Sequence, residues 1–144
     1  MKKEFPDLPI SINVGIGSLE EAQAHFDFVD GVMIGRAAYQ NPYLLAQADT
    51  KIFGATTNVP RRFDVMEGFF PYIERELAKG TPLHAMTRHI LGLFQGVAGA
   101  RAFRRILSEQ AWRKGAGIEV LHAALEHVAR AEERQEETAF LQSA

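Results

Sequence analysis

Two glycines in the first forty residues have the sequence context of a phosphate-binding site. Gly15 ends a strand-like run that starts at Ile10, and Gly35 ends a second run, Val32-Met33-Ile34, directly before Arg36. Glycine between a strand and a helix lets backbone N–H groups approach a phosphate, and a guanidinium group can pair with the phosphate oxygens. The pattern predicts a phosphate site, but it is equally compatible with glycines that only serve the two turns.

Three arginines on a predicted helix indicate a second anion-binding surface. Arg101, Arg104 and Arg105 are spaced to lie on one side of the helix, and the stretch 88–114 holds six basic residues but a single acid, Glu109. Phosphates of a nucleic acid would relieve the repulsion among these guanidinium groups, which can also stack on unpaired bases. The alternatives are a solvated face, or ion pairs with Glu109 and the acidic C-terminal residues.

Other candidates for catalysis or metal binding are weak. The chain has no cysteine, which excludes a thiol catalyst, a thiolate metal site and a disulfide within it. Its histidine pairs, His84 with His89 and His122 with His127, are five residues apart and therefore point to different sides of a helix. We predict no catalytic residue and no metal ligand in this chain, and we keep only His89, beside Arg88, as a candidate nucleic-acid contact.

The first part of the chain is predicted to form two strand–helix units. Residues 10–16 and 31–36 are rich in β-branched and apolar side chains, as expected of buried parallel strands. A capping box formed by Ser18 and Glu21 opens a helix that reaches about residue 28. A further helix is expected at about 42–48, with proline at its first position.

Everything beyond residue 63 is predicted to be helical. Pro71 lies inside the first of four helices and is expected to kink it. Phe103 and Trp112 are expected in the core rather than as platforms for base stacking. The helices are expected at 63–79 with a C-cap at Gly80, from Leu83 with the apolar face Leu83, Met86, Ile90 and Phe94, at 100–113, and at 118–134.

Length and composition indicate one domain or two small ones. The 144 residues are 47% hydrophobic, and no run approaches the roughly 18 apolar residues of a membrane span. The N-terminus has no apolar leader, so a cytoplasmic protein without membrane association is expected. The predicted fold class is α/β plus all-α, mostly helical as it stands.

Two long motifs give the chain a resemblance to a known family. The segment 30–42, DGVMIGRAAYQNP, resembles the last barrel strand of the tRNA-dihydrouridine synthases. The segment 87–105, TRHILGLFQGVAGARAFRR, resembles the helical-domain signature of the DusA subfamily, and 71–77 and 115–117 fit it in order and spacing. The resemblance covers about residues 9–128.

The resemblance implies the C-terminal fragment of an FMN-binding (β/α)8 TIM barrel followed by a helical tRNA-binding domain. Enzymes of this family are flavin oxidoreductases that reduce uridine in the D-loop of tRNA to dihydrouridine, with NADPH as reductant. The implied organisation is 1–53 as the last two β/α units, with strands 7 and 8 at 10–16 and 31–36; 54–62 as a linker; 63–135 as the helical domain; and 136–144 as a frayed tail.

The same resemblance assigns site residues. The FMN-phosphate loops of the family match Asn13, Val14, Gly15, Gly35 and Arg36. Arg101 and Arg104 match positions where the subfamily reads its tRNA, and the charge pattern adds Arg105 and Arg88 as tRNA-binding candidates.

Two departures from the family pattern limit what is expected of the chain. Val14 stands where the family usually has glycine. The cysteine that protonates the uracil ring and the first six strands are absent, so we expect the chain to be inactive alone, with the missing barrel portion as a candidate partner. The alternative is a stand-alone tRNA- or RNA-binding helical module without catalysis. An oligomeric half-barrel that binds a phosphosugar is less favoured, because it leaves the arginine helix unexplained.

Overall fold

A two-stranded parallel sheet organises the first of two units, residues 1–59 and 60–144. The structure, a computed structural model, describes residues 2–13 and 15–143. Helix α1, Leu19–His25, connects the strands, as parallel pairing requires a crossover. The strands are β1, Ser11–Ile12, and β2, Gly31–Val32, with Ser11 opposite Gly31 and Ile12 opposite Val32.

Both strands are shorter than predicted. The expected strands at 10–16 and 31–36 are wrong in extent, because the ladder stops after Ile12 and Val32. Gly15 has a φ of +63°, which turns the chain out of the extended conformation. Arg36 begins helix α2, Arg36–Gln40, rather than ending a strand. Within the described residues each strand has one hydrogen-bonded neighbour, so no second ladder lengthens it.

The helices of the first unit follow the predicted positions more closely than the predicted lengths. The capping box of α1 is confirmed in part. Ser18 Oγ accepts a hydrogen bond from the Glu21 N–H at 3.1 Å, but the Glu21 carboxylate accepts from the Gly17 N–H, at 2.6 Å, rather than from Ser18. The helix ends at His25, before the predicted residue 28. The helix expected at 42–48 is a 3₁₀ helix, Pro42–Gln47, followed by α3, Ala48–Lys51.

The second unit contains helices α4 to α7, which are joined by turns. Helix α4 continues through Pro71, and its C-cap is Lys79, directly before the predicted Gly80. Gly80 has a φ of +88° and donates to Leu77 O at 2.9 Å, while the Thr81 N–H donates to Glu76 O at 3.0 Å. The helices are α4, Arg62–Ala78; α5, Leu83–Thr87; α6, Ala100–Gln110; and α7, Glu119–Ser143.

Three helices end elsewhere than predicted. Helix α5 stops at Thr87, and glycines, which disfavour helix, punctuate the turns that follow. Helix α6 ends at Gln110 rather than at 113. The frayed tail expected at 136–144 is wrong for 136–143, because α7 continues to Ser143 through a stretch of strong helix formers such as Glu, Gln and Arg. Ala144 lies outside the described residues.

The core of the second unit is built around aromatic side chains. The Phe94 ring lies 5.3 Å from the Phe63 ring and 4.7 Å from the Phe103 ring, between centroids. Phe94 and Phe103 are completely buried. Other buried side chains include Met66, Ile73, Leu83, Met86, Thr87, Leu93, Ile106, Leu107, Leu121, Ala124 and Val128. No helix in the described ranges is long and apolar enough to cross a membrane.

Helices α6 and α7 pack together where α6 begins. Gly99, the residue before α6, has a φ of +79°. A Cβ at this position would lie 2.7 Å from Val128 Cα, 3.0 Å from His127 O and 3.1 Å from Ala131 Cβ. Only glycine allows this close approach, because the position combines a left-handed conformation with direct backbone contact.

We expect Gly99→Ala to destabilise the second unit by about 2–4 kcal/mol, from about 1–2 kcal/mol of left-handed strain and a similar cost of overpacking against α7. Gly96→Ala is the matched control, because Gly96 has a φ of +84° and open space around it. Urea unfolding followed by the fluorescence of Trp112, the single tryptophan of the chain, measures both. Equal losses in the two variants would contradict the importance of the contact.

Candidate functional site

A cavity in the first unit brings together the residues of the predicted phosphate site. It measures about 540 Å³, and Asn13, Gly15, Gly35 and Arg36 all line it. Val14, the fifth predicted residue, lies outside the described residues. Because the two glycine turns follow neighbouring parallel strands, both lie at the edge of the sheet where the carboxyl ends of the strands meet.

The geometry of this cavity suits an anion. Gly15, at its positive φ, leaves room in the turn, with Arg36 Nη2 3.9 Å from where a Cβ would lie. Arg36 is exposed, and no carboxylate among the described residues lies within ion-pair distance of it. A guanidinium group without a carboxylate partner is available to a phosphate.

Asp30 ties together the two segments that carry these turns. Its carboxylate accepts the Ile10 N–H at 2.8 Å and pairs with Lys2 Nζ at 2.8 Å, and its own N–H donates to Ile10 O at 2.9 Å. The hydrogen bond from the Ile10 N–H, and then the bond and charge of Lys2, lower the pKa of Asp30.

The α6 arginines lie on an exposed face opposite the buried one. Arg101, Arg104 and Arg105 are exposed, while Phe103 and Ile106 are buried. The predicted alternative of ion pairs with Glu109 and the acidic C-terminal residues is not seen, since no carboxylate of residues 2–13 and 15–143 pairs with any of the three. The face therefore presents uncompensated positive charge.

Arg88 lies apart from these three along the chain. It is exposed just beyond α5, and its Nε donates to His89 Nε2 at 3.0 Å. Arg88 is not among the residues that line the cavity beside α6.

A second cavity, of about 460 Å³, lies between α6 and α7. Arg101 and Arg105 line it from α6, and His127 and Arg134 line it from α7, whereas Arg104 does not. The two α7 residues were not predicted from the sequence. The available signal was the spacing of 127, 131 and 134, which places them on one face of a helix.

One aromatic prediction is confirmed and one is wrong. Phe103 is fully buried, as expected of a core residue. Trp112 is 68% exposed, and its ring stacks on His84 at 3.7 Å between centroids. The difference arises because α6 ends at Gln110, so Trp112 lies in the following turn and off the apolar face.

Comparison with known proteins places the chain in a family. The family model described as dihydrouridine synthase (Dus) matches residues 1–130, and the chain belongs to this family. The members of this family are oxidoreductases and are generally flavin-dependent. Among the described residues, no group of three or more metal-ligating side chains could hold a metal ion.

Curated relatives share more than half of their aligned residues with the chain. Three proteins named tRNA-dihydrouridine(20/20a) synthase are 57% identical over 125 residues (Vibrio cholerae), 55% over 128 (Shewanella oneidensis) and 55% over 129 (Escherichia coli). These matches cover 87%, 89% and 90% of the chain. The chain spans 38%, 38% and 37% of the lengths of these relatives.

The contacts of the Asp30 carboxylate with the Ile10 N–H and with Lys2 predict that the stability of the first unit depends on pH. A lowered pKa in the folded state means that Asp30 adds stability above its unfolded pKa, near 3.8, and that this stability is lost as the pH falls through the folded value. Titration of the Ile10 amide resonance is expected to report a midpoint below 3.8, and Lys2→Ala is expected to raise it. A midpoint at or above 3.8 would contradict the stabilisation of the Asp30 carboxylate by Ile10 and Lys2.

Proposed function

We propose that this chain is the C-terminal portion of a flavin-dependent tRNA-dihydrouridine synthase. Residues 1–53 would supply the last two β/α units of the FMN-binding barrel, 54–62 a linker and 63–135 the tRNA-docking domain. The observation that carries the proposal is the exposed arginine face of α6, with no carboxylate partner among the described residues, in a chain of this family. The proposed substrate is a D-loop uridine of tRNA.

The first cavity fits the phosphate end of FMN. Asn13, Gly15, Gly35 and Arg36 surround it, and the glycine turn with an unpaired guanidinium provides what a phosphate monoester needs. Val14 belongs to the same proposed loop. When bound, the flavin supplies hydride transfer to the uracil ring, with NADPH as its reductant.

The residues of this chain contribute binding rather than proton transfer. The chain holds no cysteine to protonate the uracil ring, so on this proposal it is inactive alone and acts together with the remaining barrel strands. Arg101, Arg104 and Arg105, together with Arg88, would bind tRNA phosphates and unpaired bases, which orients the D-loop.

Binding of tRNA tests the role of the α6 face. We expect Arg104→Gln to weaken tRNA binding by the chain about ten-fold at low salt, because one charged phosphate contact is lost. The slope of log K against log salt should become shallower by roughly one. Arg75→Gln, an exposed arginine on α4, is the matched control and should change neither. Absence of tRNA binding by the wild-type chain, or equal losses in both variants, would overturn the proposal.

Flavin titrations test the first cavity. FMN is expected to shift the amide resonances of Gly15 and Gly35, while riboflavin, which has no phosphate, should leave them nearly unchanged. Arg36→Gln should abolish the FMN shifts because it removes the cationic partner. Lys51→Gln is the control, since Lys51 is paired with Glu20 at 2.5 Å and does not line the cavity. Equal shifts with both flavins would contradict a phosphate site.

A stand-alone RNA-binding module is the second candidate. The observation that favours it is the separate core of the second unit, built around Phe94 and Phe103. Both candidates predict tRNA binding through α6. Phosphate-dependent flavin binding favours the synthase, whereas tRNA binding without it favours the module.

A further inference from the structure

The cavity between α6 and α7 has four basic side chains around small ones. Arg101 and Arg105 face it from α6, and His127 and Arg134 face it from α7. Ala131 lies along the same wall as the two α7 residues. The basic side chains of this groove thus come from both helices, although the three arginines predicted from the sequence all lie on α6.

The close helix contact at Gly99 builds this groove. A Cβ on Gly99 would meet the α7 backbone at Val128 and His127 and the Ala131 methyl group. Since α6 begins against this part of α7, its first turns run beside the segment 127–134. Small residues at the contact, among them Ala131, leave open space below the long basic side chains.

The acidic residues of α7 do not neutralise the groove. Glu126 pairs with Arg130 at 2.5 Å, and neither lines the groove. Glu132 and Glu136 line a different cavity, together with residues 96–98. No carboxylate among the described residues pairs with Arg134, which is exposed. Of the described α7 residues, His127, Ala131 and Arg134 line the groove, and no glutamate does.

We propose that this groove binds the phosphodiester backbone of RNA, with Arg134 and His127 of α7 completing the surface that Arg101 and Arg105 begin. The inference rests on the proposed function and extends the tRNA-binding surface from one helix to two. A groove with basic walls follows a chain of phosphates, because each guanidinium or imidazole N–H can donate to phosphate oxygens without reading base identity.

Arg134→Gln in the full 144-residue chain tests the groove. We expect tRNA affinity to fall about ten-fold at low salt and the salt slope to become shallower by roughly one. Arg134→Lys, which keeps the charge, should retain most of the affinity. Arg130→Gln is the matched control, because Arg130 is on the same helix, is paired with Glu126 and lies outside the groove. Circular dichroism should show the same helicity in all variants.

The outcomes separate this inference from the proposed function. If Arg104→Gln weakens tRNA binding but Arg134→Gln behaves like Arg130→Gln, the groove inference is wrong and the proposed function stands. If the wild-type chain does not bind tRNA, both are wrong. A loss of tRNA affinity in Arg134→Gln supports the groove. The support is stronger if millimolar inorganic phosphate lowers the tRNA affinity of the wild-type chain by competition.

Discussion

The backbone contact between α6 and α7 at Gly99 is the constraint on which the second unit depends. Because Gly99 has no Cβ, α6 can begin directly against Val128, and this places Phe103 in the core. A helix with one face committed to the core must turn the other outward, so Arg101 and Arg104 face solvent. The same contact brings the segment 127–134 of α7 alongside the start of α6.

The two units present positive charge to an anion in different ways. The first unit offers a glycine turn, which exposes backbone, and the single guanidinium of Arg36. The second offers an array of guanidinium groups on a helix surface. Like charges three and four residues apart destabilise a helix by a few tenths of a kcal/mol per pair. A bound polyanion would offset that repulsion, and this is the physical reason for proposing a nucleic acid at α6 and a single phosphate in the first cavity.

Local patterns in the sequence predicted what local physics decides. The glycine turns, the capping residue Ser18 and the two faces of α6 follow from spacing along the chain, and the structure agrees with them. Strand length was predicted poorly, because a strand extends only as far as the neighbouring strand pairs with it, and the sequence of one strand does not contain that information. Trp112 was misplaced because the exact end of α6 decides its environment. The spacing of His127 and Arg134 places them on one face of α7, but it does not tell which part of α7 meets α6, so their position beside the α6 arginines could not be predicted.

The most direct test of the account is a map of the tRNA-binding surface on the folded chain. Amide chemical shifts of the 144-residue protein would be followed while unmodified tRNA is added. We expect the perturbed amides to cluster at 99–105 and 127–134, with little change in the segment 119–125 of α7. Perturbations confined to α4, or spread evenly over the chain, would contradict it.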